Sequence, residues 1–163
     1  MKAYRLAFLA LLLAVAVPAR AQGDLRLIDD AAALVRVSAS QLTALQNCPS
    51  LLPDFRQNYA DKTSAFNAAN AEIVAHSMRT LVAMSEQKGG GEGRRQAIAT
   101  IAGISKNALD ELNNRSTRER KDYCVKLLSA APESLELRKQ YPDRVLRVMA
   151  YTLPAPPASP PQK

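Results

Sequence analysis

The chain has no tryptophan and only three phenylalanines and five tyrosines in 163 residues. Aromatic platforms for stacking on sugars are therefore missing, which argues against a cleft where paired carboxylates cleave glycosides. The adjacent acids Asp29-Asp30 and Asp110-Glu111 read more plainly as charged helix faces whose side chains diverge into solvent. Histidine occurs once, at His76, and cysteine twice, at Cys48 and Cys124. Two cysteines without a CxxC pair, joined by one histidine, fall short of zinc-ligand spacing, and no cofactor motif is present. A serine hydrolase would have to use His76 as its base. Ser77 is adjacent, but neighbouring helical residues point about 100° apart, and the G-x-S-x-G elbow is absent. A small hydrolase with an unrecognised site is the last-ranked reading.

Long apolar runs are also missing. The longest is the 12 residues Leu6 to Val17, where a bilayer core needs about 20. With Lys2 and Arg5 before it and Ala19-Arg20-Ala21 after it, this run reads as a secretory signal peptide over residues 1–21, leaving a mature chain from Gln22 with no transmembrane segment. No cysteine sits just after the cut, so a lipid anchor is not indicated. The expected address is periplasmic or secreted. Lys2, Arg5 and Arg20 leave with the signal, which lowers the net charge from +7 to +4. That balance bears on solubility and weak association, not on fold. In an oxidising compartment Cys48 and Cys124 are expected to pair.

No segment from Asp24 to Tyr151 alternates with period two for long enough to indicate a strand, whereas helical spacing recurs throughout. Leu27, Ile28, Ala31, Leu34, Val35, Leu42 and Leu45 predict a first helix over 24–47. Pro49 and Pro53 cannot both lie inside one helix, so 48–53 is expected as a connection, with Pro53 and Asp54 opening the next helix. Phe55, Tyr59, Phe66, Ala69, Ile73, His76, Leu81 and Met84 mark a second helix to about Lys88. Gly89-Gly90-Gly91-Glu92-Gly93 then forms a loop. A third helix, antiparallel to the second, covers about 94–114 with Ile98, Ile101, Ala102, Ser105, Ala108, Leu109 and Leu112 on one stripe.

Ser116-Thr117-Arg118-Glu119 has the form of a capping box and starts a fourth helix. Tyr123, Cys124, Leu127, Leu128 and Ala131 give that helix a buried side, bringing Cys124 near the end of helix one. Pro132 and Pro142 divide the rest of the chain into a short piece over 133–140 and a last helix from Asp143 to about Tyr151. The expectation is an all-α bundle of four to five helices over 22–151 with one disulfide. A proline-rich tail, 152–163, comes after it and should be extended.

Such a bundle is suited to binding. The leading expectation is an exported, non-enzymatic helical protein acting through protein–protein interaction, as an envelope adaptor, chaperone, inhibitor or immunity protein. Its partner-contact candidates are Arg94 and Arg95 after the glycines, the basic run Arg115, Arg118, Arg120 and Lys121, and the tail. The alternative is a basic surface protein that holds anionic envelope components such as lipopolysaccharide, lipid or glycan. Export argues against nucleic acid as the ligand of the basic run. GGGEGRR is not a P-loop, because a helix precedes it and it lacks a G-K-[ST] ending. His76, on an apolar stripe, is a candidate pH-sensitive group, with a partly buried and hydrogen-bonded imidazole as the plainer reading.

Overall fold

The computed structural model describes residues 19–154, with side-chain surroundings from residue 23 onward. Most of the expected signal segment and the tail beyond Pro154 lie outside the described residues. Within them, helix α1 runs from Ala19 to Leu51, starting earlier than residue 24 and ending later than Asn47. Pro49 therefore lies inside the helix, where a connection is expected. The helix tolerates it because Pro49 sits in the last turn, where one missing N–H forfeits a single bond. The Leu52 amide still donates to the Cys48 carbonyl at 3.0 Å.

Pro53–Phe55 form a 3-10 turn with proline in its first positions, and α2 continues from Arg56 to Asn113. The five-residue glycine loop is reduced to one residue. Only Gly90 leaves helical dihedrals, at φ 56°, ψ −146°, a left-handed conformation that glycine adopts without a Cβ penalty. At that corner α2 turns back on itself into a first arm (56–89) and a second arm (91–113). Arg94 meets Glu86 across the corner at 3.1 Å, although eight residues of straight helix would separate them by about 12 Å.

The two arms pack on α1 through Ile73 and Leu81 from the first and Ala97 from the second, against Ala31 and Leu34. The second arm's buried stripe is Ala97, Ile104, Ala108 and Leu112. The expected stripe is turned from this one, since Ile98 and Leu109 are exposed.

Helix α3, Thr117–Ser129, opens on the expected capping box. Ser116 N–H donates to Glu119 Oε2 at 2.8 Å and Glu119 N–H donates to Ser116 Oγ at 3.3 Å. The Ser116 hydroxyl, which donates to the same Oε2 at 2.7 Å, and then the Ser116 N–H hold the Glu119 carboxyl below the usual carboxylate range. Cys124 is buried and bonded to Cys48, with Cα atoms 5.5 Å apart. Tyr59, fully buried beside it, donates its hydroxyl to the Cys124 carbonyl at 2.7 Å, and burial pushes its phenol up. Lys62 caps the end of α3 by donating to the Ala130 carbonyl at 2.6 Å.

From there the chain forms a 3-10 turn, Pro132–Leu135, then α4, Leu137–Gln140, and α5, Pro142–Met149. The described residues are all helical or irregular, with five α-helices and no strand. These last pieces run back along α1 and the first arm in order. Asn70 holds the turn, Gln41 donates to Gln140 at 3.2 Å, and Asp30 accepts from Arg147 at 2.7 Å. The result is an up-down-up bundle completed by a broken fourth rail. Val145, Val148 and Leu137 on that rail are buried in the same cluster as Ile73 and Leu34. Each such side chain stabilises the fold by roughly 1.5–3 kcal/mol.

Asp30 corrects its expected place in solvent. It is 5 % exposed and paired with Arg147, with Arg144 Nε at 3.6 Å. The reason is the neighbouring rail, since Val145 and Val148 seat α5 on α1 and bring both arginines over the carboxylate. Asp30 in turn holds the Arg147 guanidinium above its ordinary range. Asp29, Asp110 and Glu111 are exposed, as expected.

Candidate functional site

The corner of α2 builds a concavity between its two arms. A Cβ on Gly93 would lie 2.1 Å from the Ser85 carbonyl oxygen, so the two arms approach closely only because that Cβ is missing. Beyond this contact the arms leave a groove of about 1060 Å³. Its apolar surface comes from Met78, Val82 and Ala83 on the first arm, Ile98 on the second, and Leu153 and Pro154 at the end of the described chain. Arg79, Glu86, Gln87 and Arg94 also line it and are exposed, whereas Met78, Val82 and Ala83 are partly buried, so the charged and amide groups form its rim.

The rim fixes the walls. Arg94 Nη1 and Glu86 Oε2 bridge the arms, both half-exposed, so the pair adds at most about 1 kcal/mol and serves mainly to set their spacing. Gln87 Nε2 donates to Tyr151 Oη at 3.0 Å and ties the end of the rail to the first arm. Ile98 is 50 % exposed where it lines the groove. Apolar floor with a few polar groups at the edge is the general form of a binding concavity.

The sequence candidates fall into separate places. Arg94 stands on the groove rim, while Arg95 beside it is paired with Glu92 on the same arm. The basic run lies at the other end of the second arm, about 30 Å of helix from Arg94. There Arg115 covers the Tyr123 ring at 4.9 Å, Arg118 and Lys121 are exposed, and Arg120 is partly buried and bonded to Thr117 at 3.5 Å. The structure thus does not join the two basic clusters into one surface. Cys48 and Cys124 form the expected disulfide.

His76 is partly buried, but its Nε2 finds no hydrogen-bond partner among the described residues, and neither does Thr80 Oγ1 one turn later. The expected bond to a neighbouring polar group is not made at that nitrogen. Ser77 is fully buried, and its hydroxyl donates to the Ile73 carbonyl at 2.7 Å. That proton is committed to the backbone of the same helix.

Sequence reasoning missed the groove because its residues come from three segments that meet only once the chain folds back at Gly90, and each reads locally as an ordinary helix face. One signal was available. Ile98 is a large aliphatic side chain one position from the Ala97, Ile104, Ala108 stripe, and both sets cannot face the same neighbour. No protein-family model, curated protein or solved structure matches this chain.

Proposed function

We propose that this is an exported, non-enzymatic helical binding protein that engages another protein through the groove at the Gly90 corner. The observation that carries the reading is the half-exposed Ile98 facing an apolar floor between two helical arms, with charges confined to the rim. Apolar centre and polar edge is the anatomy of a protein contact. The Cys48–Cys124 disulfide supports an oxidising compartment, in keeping with the signal-like first 21 residues.

The test is affinity capture from an envelope extract at low and high salt, with the natural protein and with Ile98→Asp as bait. The expected outcome is one stoichiometric protein that survives high salt on the natural bait and is lost from Ile98→Asp. Retention of that partner by Ile98→Asp would remove the groove from the contact. A second reading rests on the exposed Arg118 and Lys121 beside Arg115. A protein acting there would hold anionic vesicles in a salt-sensitive way and would lose them on Arg118→Glu with Lys121→Glu, with Ile98→Asp without effect.

A further inference from the structure

The polar groups of the groove divide between its ends. At the corner, Arg94 is bonded to Glu86 and Gln87 to Tyr151. Because Arg94 faces Glu86 across antiparallel arms, Ile98, one turn further along the second arm, comes level with Val82 on the first. Arg79 lines the opposite end, about 10 Å of helix from Glu86. It is exposed and takes part in none of the salt bridges among the described residues. Its neighbours three and four positions away on the helix are Ala75, His76, Val82 and Ala83, so its own arm places no carboxylate beside it. The apolar floor thus has a matched ion pair at one end and an unmatched cation at the other.

The walls also restrict the backbone that can lie on that floor. Both arms are helical, so their N–H and C=O groups are spent on their own ladders. An extended segment laid on Met78, Val82 and Ile98 would bury backbone groups with nothing to bond, which is costly. A helix bonds its own backbone and presents only side chains, and its ridges fit the furrow between two antiparallel helices. The end of that helix which meets Arg79 is favoured when it carries a carboxylate, since a guanidinium takes both carboxylate oxygens in parallel. A lysine at the same place would face a like charge.

We infer that the groove takes an amphipathic helix of the partner protein, with apolar side chains one turn apart on Met78, Val82 and Ile98 and an acidic side chain on Arg79. This rests on the groove being the protein's binding site, and it names what that site selects. The floor holds any helix with an apolar stripe. Arg79 sets the specificity, because it rejects a stripe that ends in a basic residue.

The experiment is a methyl NMR titration of the disulfide-bonded protein with two synthetic peptides, alanine-rich and about 15 residues long so that they are helical in water. Both carry two leucines four positions apart. The positions three outside each leucine are glutamate in one peptide and lysine in the other, so either chain direction brings that charge to Arg79. The glutamate peptide is expected to move the Met78 ε-methyl and Ile98 δ1-methyl resonances and to bind about fivefold more tightly than the lysine peptide. Arg79→Glu should reverse the preference. Lys106→Glu makes the same charge change at an exposed site about 12 Å of helix beyond Ile98 and should keep it. In Ile98→Asp neither peptide should move the Met78 methyl. Equal affinities for the two peptides, a preference that survives Arg79→Glu, or methyls that neither peptide moves would overturn the inference. So would methyl shifts that follow protein concentration alone, which would assign the groove to a second copy of the chain. Capture separates the inference from the reading it rests on, since the partner should be lost from Arg79→Glu as it is from Ile98→Asp. A partner lost on Ile98→Asp but held by Arg79→Glu would keep the groove and remove the acidic requirement. A partner held by Ile98→Asp would remove the groove reading, while a peptide preference reversed by Arg79→Glu would still stand as the selectivity of the site.

Discussion

Asn70 shows how one side chain holds an irregular segment in a helical protein. It lies one turn after Phe66 on the buried stripe of the first arm, 1 % exposed, where an apolar residue would pack at no polar cost. Its Nδ2 donates to the Phe66 and Leu135 carbonyls, both at 3.0 Å, and its Oδ1 accepts from the Leu137 amide at 2.8 Å. Those two rail groups sit between the 3-10 turn and α4, where no helical ladder serves them. Replacing the amide leaves two buried backbone groups without partners, at about 1–3 kcal/mol each before relaxation. Asn70→Ala is therefore expected to lower the urea unfolding free energy by about 2–4 kcal/mol and to speed hydrogen exchange at Leu137. A loss below about 0.5 kcal/mol would mean that the rail finds other partners.

At the scale of the elements, the glycines of α2 divide into two kinds. A Cβ on Gly93 would meet the Ser85 carbonyl, backbone that cannot rotate away, while one on Gly103 meets nothing within 4 Å. Gly93→Ala must push the arms apart and is expected to cost about 1–3 kcal/mol, as overpacking does. Gly103→Ala is expected to stabilise the second arm by about 0.5–1 kcal/mol through helix propensity. Thermal unfolding of the two variants should give shifts of opposite sign, and a shared sign would contradict this placement of the arms. The same glycines show what the sequence makes legible. Four glycines in five residues announce a break, but composition cannot say that Gly90 alone turns the chain while the others remain helical. The capping box and the cysteine pairing are legible because each depends on short-range chemistry or on two residues only. The buried faces of the second arm, Asp30 and the groove were not, because they depend on which neighbour covers a helix. For Asp30 that neighbour is α5, 117 positions away along the chain.

For the whole molecule, the two hydrophobic clusters lie at opposite ends of the α1–α2 pair and are fastened differently. One contains Ala31, Ile73, Leu137 and Val148 and is closed by the Asp30–Arg147 pair. The other contains Leu45, Tyr59, Phe66 and Leu127 and is closed by the Cys48–Cys124 bond. That bond spans 76 positions, and constraining so long a loop in the unfolded chain is worth about 4.5 kcal/mol in the chain-entropy account. The unfolded-state effect acts on the whole molecule, yet the native consequence is local. Without the covalent tie, α3 is held by the Tyr59 hydroxyl, the Lys62 cap and a small apolar contact, while the rail beyond it keeps Asn70, Gln41 and Asp30. The Cys48→Ala, Cys124→Ala variant is expected to lose about 2–5 kcal/mol in reversible urea unfolding. Its local openings should be uneven, with amides of α3 and of the first arm near Tyr59 exchanging well before those near Ile73 and Leu137. Even acceleration along the chain would mean that the two clusters open as one cooperative unit. Preferential opening at Tyr59 would place the fastening of α3 in the disulfide and leave the groove end intact in the reduced protein.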